Sequence, residues 1–253
     1  MASTELFSVP ISAIPSHPGG SIVCTTPAPK VYLLTFTSPS DNRLTPEFCR
    51  ALLDALDIIE PPPRTVAPGF WENSLYALFR RFLTYPMPTV ALINGHAFAG
   101  GIFLAMHHDY RVFTGSGRGY ACVNELEFGA PLPPSLTSIF RIKTTPLVYR
   151  EVVLEAHRFD AKAALEAGIV DAVGELDAVL KLIEDRKLVV KGTTGVYGSL
   201  KEEMYKESVA LLGAKGPGVP SPSKQLEINK KRKADGQKWL KQWKESQGQK
   251  AKL

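Results

Sequence analysis

The sequence is poor in cysteine and in long apolar runs, and each shortage excludes a class of protein. Its 253 residues include three cysteines, Cys24, Cys49 and Cys122, which lie far apart and form no CxxC pair. Neither a disulfide framework nor a zinc site is indicated, and a reducing compartment is expected. No apolar stretch approaches the roughly 18 residues of a membrane span, and no secretory signal opens the chain. We therefore expect neither membrane insertion nor secretion.

Charge is unevenly distributed along the chain. The formal net charge is +5, but residues 224–253 alone hold ten Lys/Arg against three Asp/Glu, which leaves −2 for residues 1–223. Only the tail is basic, so the charge does not mark the globular part as a nucleic-acid binder. We interpret the basic run 230–233 as a solvated face, and RNA binding through the tail ranks lowest among the hypotheses.

Strands and helices alternate through most of the chain, which predicts the α/β class. Residues 1–20, rich in Ser, Pro and Gly, are predicted to be a loose arm. The patterns predict strands over 21–25, 31–36, 89–93, 110–113 and 120–123, and helices over 46–59 and 71–83. Thr45 and Pro46 mark the start of the first helix.

The C-terminal part is predicted to be mainly helical. Apolar periodicity indicates helices over 136–142, 146–155, 160–167, 176–185 and 199–213. We divide the chain into the arm, a core over 21–185, a helical region over 186–223 and a basic tail over 224–253. Prolines and glycines within 215–223 separate the tail from the preceding helix.

Residues 93–101, INGHAFAGG, combine a strand end, a turn of small residues and a helix start. Backbone N–H groups at such a start lack helical partners and suit an anion or a developing oxyanion. The pattern is neither a Walker A loop nor GxGxxG. A tight strand-to-helix turn with close packing is an equally good explanation on physical grounds.

The 93–101 segment resembles the signature of the crotonase, or enoyl-CoA hydratase/isomerase, family, with Ala99 where a glycine is common. Further blocks match in order, which makes the resemblance more specific than any one motif. They are LTF at 34–36 with NRL at 42–44, DYRV at 109–112, NELEFG at 124–129, and FDA at 159–161 with GIVD at 168–171. The resemblance covers about residues 21–185 and implies a spiral of ββα units, assembled as a homotrimer or a hexamer.

The resemblance also assigns residues to roles. Gly100 aligns with a glycine whose N–H stabilises the thioester oxyanion, and Glu125 aligns with a catalytic glutamate. Phe103 stands where family hydratases carry a second glutamate. Substrate and CoA contacts are implied for five positions: Asn42, Arg43, Leu44, Ala97 and Phe98.

A single glutamate is similar to the arrangement in Δ3,Δ2-enoyl-CoA isomerases, which implies isomerisation of a 3-enoyl-CoA during β-oxidation. No cofactor and no metal are required for this chemistry. Hydration or another CoA-thioester reaction is the alternative within enzymes. A binding role without turnover also stays open, because the family's strand and second oxyanion segment cannot be found near 60–70. This region indicates a shortened core.

Other polar residues receive structural interpretations. On residue chemistry alone Glu125 is a surface or loop carboxylate, and only the resemblance makes it catalytic. Glu127 is expected to be solvated, His96 to be packed or exposed, and the pair His107 and His108 not to bind a metal.

The final tripeptide Ala251-Lys252-Leu253 resembles the Ser-Lys-Leu peroxisomal address. It predicts recognition by the peroxisomal import receptor. Together with an acyl-CoA fold, it makes the peroxisomal matrix the expected location.

Overall fold

A computed structural model describes residues 4–60, 74–117 and 119–213, together with six single positions in the tail. Those six positions, 227, 230, 231, 234, 235 and 238, are helical and exposed. The interpretations of 61–70 and of most of the basic tail, including residues 251–253, lie outside the described residues. No helix in the described part is long and apolar enough to cross a membrane.

The chain opens with an antiparallel sheet of order β1-β2-β3. Its strands are β1 (Thr4–Ile11), β2 (Gly20–Ala28) and β3 (Val31–Thr37). The prediction of a loose arm over 1–20 is therefore wrong for residues 4–11, which pair with β2. Val9 and Ile11 point inward and are buried, an alternation that Pro10 obscures in the sequence. Proline is tolerated here because β1 is an edge strand.

Helix α1 (Pro46–Ile59) confirms the predicted bounds 46–59. Thr45 caps it, since its hydroxyl accepts a hydrogen bond from the Phe48 N–H at 3.1 Å. Helix α2 (Tyr76–Thr84) confirms the described part of the helix predicted over 71–83. Helix α1 packs on β1 and β2, which completes a ββα unit, and α2 packs on α1.

Two short parallel sheets follow. One has the order β4-β6-β8 and the other pairs β5 with β7. The strands are β4 (Val90–Ile93), β5 (Ala97–Phe98), β6 (Tyr110–Phe113), β7 (Ala121–Cys122) and β8 (Ala172–Val173). The strands predicted over 89–93, 110–113 and 120–123 are confirmed.

The remaining described elements are helices, in agreement with the predicted α/β class and helical C-terminal region. Early ones are α3 (Gly100–Met106), α4 (Glu125–Phe128), α5 (Pro134–Lys143), α6 (Pro146–Leu154) and α7 (Ala161–Glu166). The later ones are α8 (Leu176–Asp185), α9 (Leu188–Gly192), α10 (Tyr197–Met204) and α11 (Lys206–Leu212). The single helix predicted over 199–213 is wrong, because the buried Tyr205 separates α10 from α11.

Two apolar clusters hold these layers together. The larger one joins the first sheet, α1, α2, α3 and α5, and contains fully buried aromatics such as Phe79 and Phe140. The smaller one lies on the other face of the β4-β6-β8 sheet, where Val112 packs against α8 and α9. The side chains of β4 alternate between the two clusters. Ala91 and Ile93 pack in the larger cluster, and Val90 and Leu92 pack in the smaller one.

A buried ion pair fastens the C-terminal helices to the core. Lys201 Nζ in α10 lies 3.0 Å from Asp109 Oδ2, and both side chains are less than a tenth exposed. The same carboxylate oxygen accepts hydrogen bonds from the Thr89 N–H at 2.8 Å and hydroxyl at 3.1 Å. Burial lowers the pKa of Lys201 although Asp109 acts to raise it. The pair is therefore costly to break, since either partner alone would be a buried charge.

We expect Lys201→Met to lower the free energy of unfolding by about 3–5 kcal/mol, because Asp109 would lose its buried counter-charge. Lys206→Met is the matched control, since Lys206 pairs with Glu203 on an exposed helix face and its loss should change stability little. Urea unfolding of both variants measures the difference. Equal effects would contradict the assigned role of the Lys201 pair.

Candidate active site

Two very short strands position the proposed reaction centre. In the parallel β5–β7 pair, Ala97 lies opposite Ala121 and Phe98 opposite Cys122. Gly100 follows β5 by two residues, and Glu125 follows β7 by three. Because the carboxyl ends of parallel strands meet at the same sheet edge, this pairing brings the two segments to one place.

The turn before α3 is sharply bent at Ala99. This residue has φ +46° and ψ −116°, in the positive-φ region that residues other than glycine rarely adopt. Its N–H donates to the Cys122 carbonyl at 3.1 Å, which anchors the bend. Gly100 then opens the helix, where an N–H has no intrahelical partner. The turn therefore presents a backbone donor next to β7.

Gly100 is also closely packed against Leu44. A Cβ placed on Gly100 would lie 3.1 Å from Leu44 Cδ1, so the neighbouring side chain would have to move. The predicted close packing of this turn is thus present at Gly100, and the role of the Gly100 N–H toward an oxyanion stays a prediction. Leu44 comes from the segment just before α1, which joins the first sheet to the site.

Glu125 is the most unusual carboxylate in the described part of the chain. It opens α4, is 8% exposed, and its Oε2 has no hydrogen-bond partner among the described residues. Burial raises the pKa of Glu125, and its own backbone N–H offsets this only in part. The expectation of a surface carboxylate from residue chemistry alone is wrong, and the side chain is suited to accepting and returning a proton.

One continuous cavity of about 1240 Å³ brings the predicted site residues together. All seven residues assigned from the sequence line it: Asn42, Arg43, Leu44, Ala97, Phe98, Gly100 and Glu125. Its volume exceeds the roughly 300–1,000 Å³ of common small-molecule pockets. The cavity thus has room for a ligand larger than a typical metabolite.

The turn before α1 is built around Asn42, which has φ +51°. Its side-chain oxygen accepts a hydrogen bond from the Ser38 N–H at 2.7 Å, and its N–H donates to the Ser38 carbonyl at 2.8 Å. Arg43 lies on the surface and pairs with Asp41 at 2.8 Å, which lowers the pKa of Asp41. An exposed guanidinium at the cavity is free to exchange this partner for a phosphate.

Phe103 occupies the position where the resemblance implies a second glutamate in hydratases. It is buried one turn after Gly100, and its ring meets that of Phe140 edge to face at 5.7 Å. Among the described residues that line the cavity, the carboxylates are Glu125 and the surface residue Asp41. Within the described ranges, the cavity lining therefore contains one buried carboxylate rather than a pair.

The histidines take structural positions. Burial lowers the pKa values of His107 and His108 to about 3, and their Nδ1 atoms lie 2.7 and 2.9 Å from helix carbonyls. His96 lines the cavity, and its Nδ1 accepts a hydrogen bond from the Tyr120 N–H at 3.3 Å. Glu127 is largely exposed and pairs with Arg158 at 2.8 Å. No group of three potential metal ligands occurs within the described ranges.

Sequence reasoning did not identify one wall of the cavity. Helix α8 contributes four side chains to it, spaced at i, i+3, i+4 and i+7: Leu176, Val179, Leu180 and Ile183. This spacing is visible in the sequence as an amphipathic helix. The periodicity alone does not distinguish a face that fills the core from one that lines a cavity.

Solved structures with the same architecture define the class as the crotonase fold. The human mitochondrial delta3-delta2-enoyl-CoA isomerase superposes with a TM-score of 0.64 at 21% identity, covering 76% of this chain and 85% of the human chain. An enoyl-CoA isomerase of Mycobacterium tuberculosis gives 0.63 at 22% identity, with 76% and 93% covered. At these identities the likeness concerns the fold.

The sequence comparisons define the family. Residues 65–209 match the family model described as enoyl-CoA hydratase/isomerase, and the chain belongs to this family. It is similar to "Enoyl-CoA delta isomerase 2, peroxisomal" of Arabidopsis thaliana, with 36% identity over 72% of this chain and 92% of the relative. "Enoyl-CoA delta isomerase 1, peroxisomal" from the same plant is 29% identical, with 70% and 87% covered.

The burial of Glu125 predicts a pH-dependent cost to stability. The pKa of Glu125 is raised in the folded state, so this carboxyl ionises at lower pH in the unfolded chain than in the folded one. As pH rises from the ordinary pKa to the raised one, the free energy of unfolding therefore falls. Glu125→Gln removes this ionisation. We expect the variant to gain stability over the wild type as pH rises, and to lose that advantage at acid pH.

Urea unfolding between about pH 4 and pH 8 measures this difference. Glu127→Gln, two residues further along α4, is the control because that side chain is exposed and paired. An advantage of Glu125→Gln that does not change with pH would contradict the assignment of a desolvated carboxylate.

Proposed function

We propose that this protein isomerises 3-enoyl-CoA to trans-2-enoyl-CoA in the β-oxidation of unsaturated fatty acids. The observation that carries the proposal is the buried carboxylate of Glu125, the one buried carboxylate among the described lining residues, in the same cavity as the Gly100 turn. The family membership and the names of the Arabidopsis relatives support the same reaction.

The proposed chemistry uses one base, Glu125, and one backbone donor, the Gly100 N–H. The Gly100 N–H polarises the thioester carbonyl, so that the negative charge formed on loss of a C2 proton spreads into a dienolate. Ionised Glu125 takes that proton, the double bond shifts from C3–C4 to C2–C3, and the carboxylic acid returns the proton at C4. Glu125 ends in its starting state, and neither a cofactor nor a metal is needed.

We assign the remaining predicted residues to binding. Asn42 and Arg43 form the turn at the cavity, where Arg43 supplies a positive charge for the CoA phosphates. Leu44 packs against Gly100, while Ala97 and Phe98 form the strand that leads into the turn. Their common position on one cavity supports this assignment.

Hydration is the alternative reaction within the family. It needs a second carboxylate to activate water, and Phe103 offers none. A binding role without turnover is the second alternative. The alignment with the first Arabidopsis relative favours this alternative. That alignment has 223 positions, but the 72% of this 253-residue chain that it covers amounts to fewer residues, so the other positions are gaps in this chain. Part of the relative's sequence therefore has no internal counterpart here.

We expect purified protein to convert a 3-enoyl-CoA into the conjugated 2-enoyl thioester, and Glu125→Gln to be slower by about 10²–10⁴-fold, because it lacks the base. Glu127→Gln should retain the wild-type rate, since its side chain pairs with Arg158 on the surface. Absorbance of the conjugated thioester measures the reaction, with folding of each variant checked by circular dichroism.

Full activity in Glu125→Gln would overturn the proposed mechanism. Water addition to 2-enoyl-CoA, detected as a 3-hydroxyacyl product, would favour hydration. Tight binding of acyl-CoA by the folded wild type without any product would favour the binding role.

We also propose a peroxisomal location. Two Arabidopsis relatives have "peroxisomal" in their names, and Ala251-Lys252-Leu253 has the small, basic and leucine order of an import address. A fluorescent protein fused to the N-terminus should collect in peroxisomes. Deleting residues 251–253 should release it, and unchanged peroxisomal fluorescence would contradict recognition of this tripeptide by the import receptor.

The proposed assembly is a homotrimer or a hexamer. Several apolar side chains are more than half exposed on the described chain, and surfaces of this kind favour subunit contacts. Those on α4 and α6 are Leu126, Phe128, Leu147 and Leu154. The mass of the protein in solution, measured by light scattering, tests this assembly.

A further inference from the structure

The cavity extends well beyond the reaction centre. Strand β3 pairs with β2 and strand β4 pairs with β6, and no strand in the described ranges pairs with the second edge of either. Residues of both strands line the cavity, including Leu34 of β3 and Leu92 of β4. An opening thus lies along the unpaired edges of the two sheets.

This opening connects the two faces of β4. Ala91 and Ile93 face the larger core, to which α3 belongs, whereas Val90 and Leu92 face the smaller cluster with α8. The cavity is lined by all four of these residues. A ligand at Gly100 can therefore continue past the β4 edge and reach α8.

The far wall is suited to a hydrocarbon. Every residue that α8 and α9 contribute to the cavity is apolar: Leu176, Val179, Leu180, Ile183, Leu188, Val189 and Gly192. Leu176, Leu180 and Ile183 are only partly buried, so they retain apolar surface for a ligand to cover. Among the lining residues that the structure describes, the charged ones are Lys30, Asp41, Arg43 and Glu125, and none of them comes from these helices.

We propose that this apolar wall, here called the α8 wall and defined by Leu176, Val179, Leu180 and Ile183, is the binding subsite for the tail of a long acyl chain. The proposal rests on the proposed function, because the thioester must lie at Gly100 and Glu125. The tail passes the β4 edge and buries its methylenes against α8. Long-chain 3-enoyl thioesters are then the preferred substrates.

The wild type should show a steep dependence on chain length. Burial of one methylene contributes about 0.8 kcal/mol, which corresponds to about a fourfold gain in kcat/KM for each methylene that reaches the α8 wall. We expect 3-tetradecenoyl-CoA to exceed 3-hexenoyl-CoA in kcat/KM by at least about a hundredfold. Equal values, or a preference for the short chain, would overturn the proposal.

Leu180→Trp tests the wall directly, since the larger side chain fills the far part of the cavity. It should lower kcat/KM for the long substrate by about tenfold or more and leave the short substrate within about twofold. Glu184→Trp is the matched control, because Glu184 lies on the exposed face of the same helix. A uniform loss for both substrates in Leu180→Trp would contradict the subsite.

Leu180→Ala provides a second variant if the tryptophan impairs folding. It removes contact surface without adding bulk, so it should weaken the long substrate by severalfold and spare the short one. Circular dichroism and thermal unfolding establish that each variant is folded.

Binding of saturated acyl-CoA separates this proposal from the proposed function. Calorimetry with tetradecanoyl-CoA and hexanoyl-CoA requires no turnover, so the subsite is measured even in a protein that does not isomerise. A long-chain preference lost in Leu180→Trp supports the subsite whatever the activity. Equal dissociation constants for the two chains would reject it even if isomerisation proceeds.

Discussion

The site depends on a parallel pairing only two residues long. Ala97 and Phe98 in β5 pair with Ala121 and Cys122 in β7, and this contact fixes where both Gly100 and Glu125 lie. A pairing of two residues is too short to be stable on its own. The segment at Phe159 stabilises it, because Ala121 and Phe159 exchange two backbone hydrogen bonds at 2.8 and 3.0 Å. Strand β5, strand β7 and the segment at Phe159, which are far apart in sequence, thereby form one hydrogen-bonded strip.

The same strip holds two unfavourable features, a positive φ at Ala99 and a buried Glu125 whose Oε2 has no hydrogen-bond partner among the described residues. Strain of this kind persists only where the surroundings over-determine it, and it is common at functional sites. A carboxylate paired with a cation would be stabler but would hold its proton too weakly to return it. The cost in stability and the raised pKa are thus two results of one desolvated environment.

Much of this fold could be predicted from local signals. Helix α1 begins at Pro46 after the Thr45 cap as expected, since caps and proline act within one turn. Strand β1 was missed because prolines and glycines around it hide the alternation of Val9 and Ile11, and its partner β2 is what makes it a strand. Tyr205 divides the last helix through tertiary packing, which periodicity cannot reveal.

The candidate site also combines features that local sequence signals predict with features that depend on tertiary contacts. The resemblance gathered seven residues that line one cavity, yet residue chemistry alone placed Glu125 on the surface, because burial depends on the β5–β7 contact. The α8 wall was visible only as amphipathic spacing. The arrangement of the neighbouring sheets decides whether the apolar face of such a helix packs into the core or lines a cavity. In this protein β3 and β4 lie in separate sheets. Where no described strand pairs with their second edges, the cavity gains volume that side chains would fill in a closed sheet, and the proposed subsite for the acyl tail uses this volume.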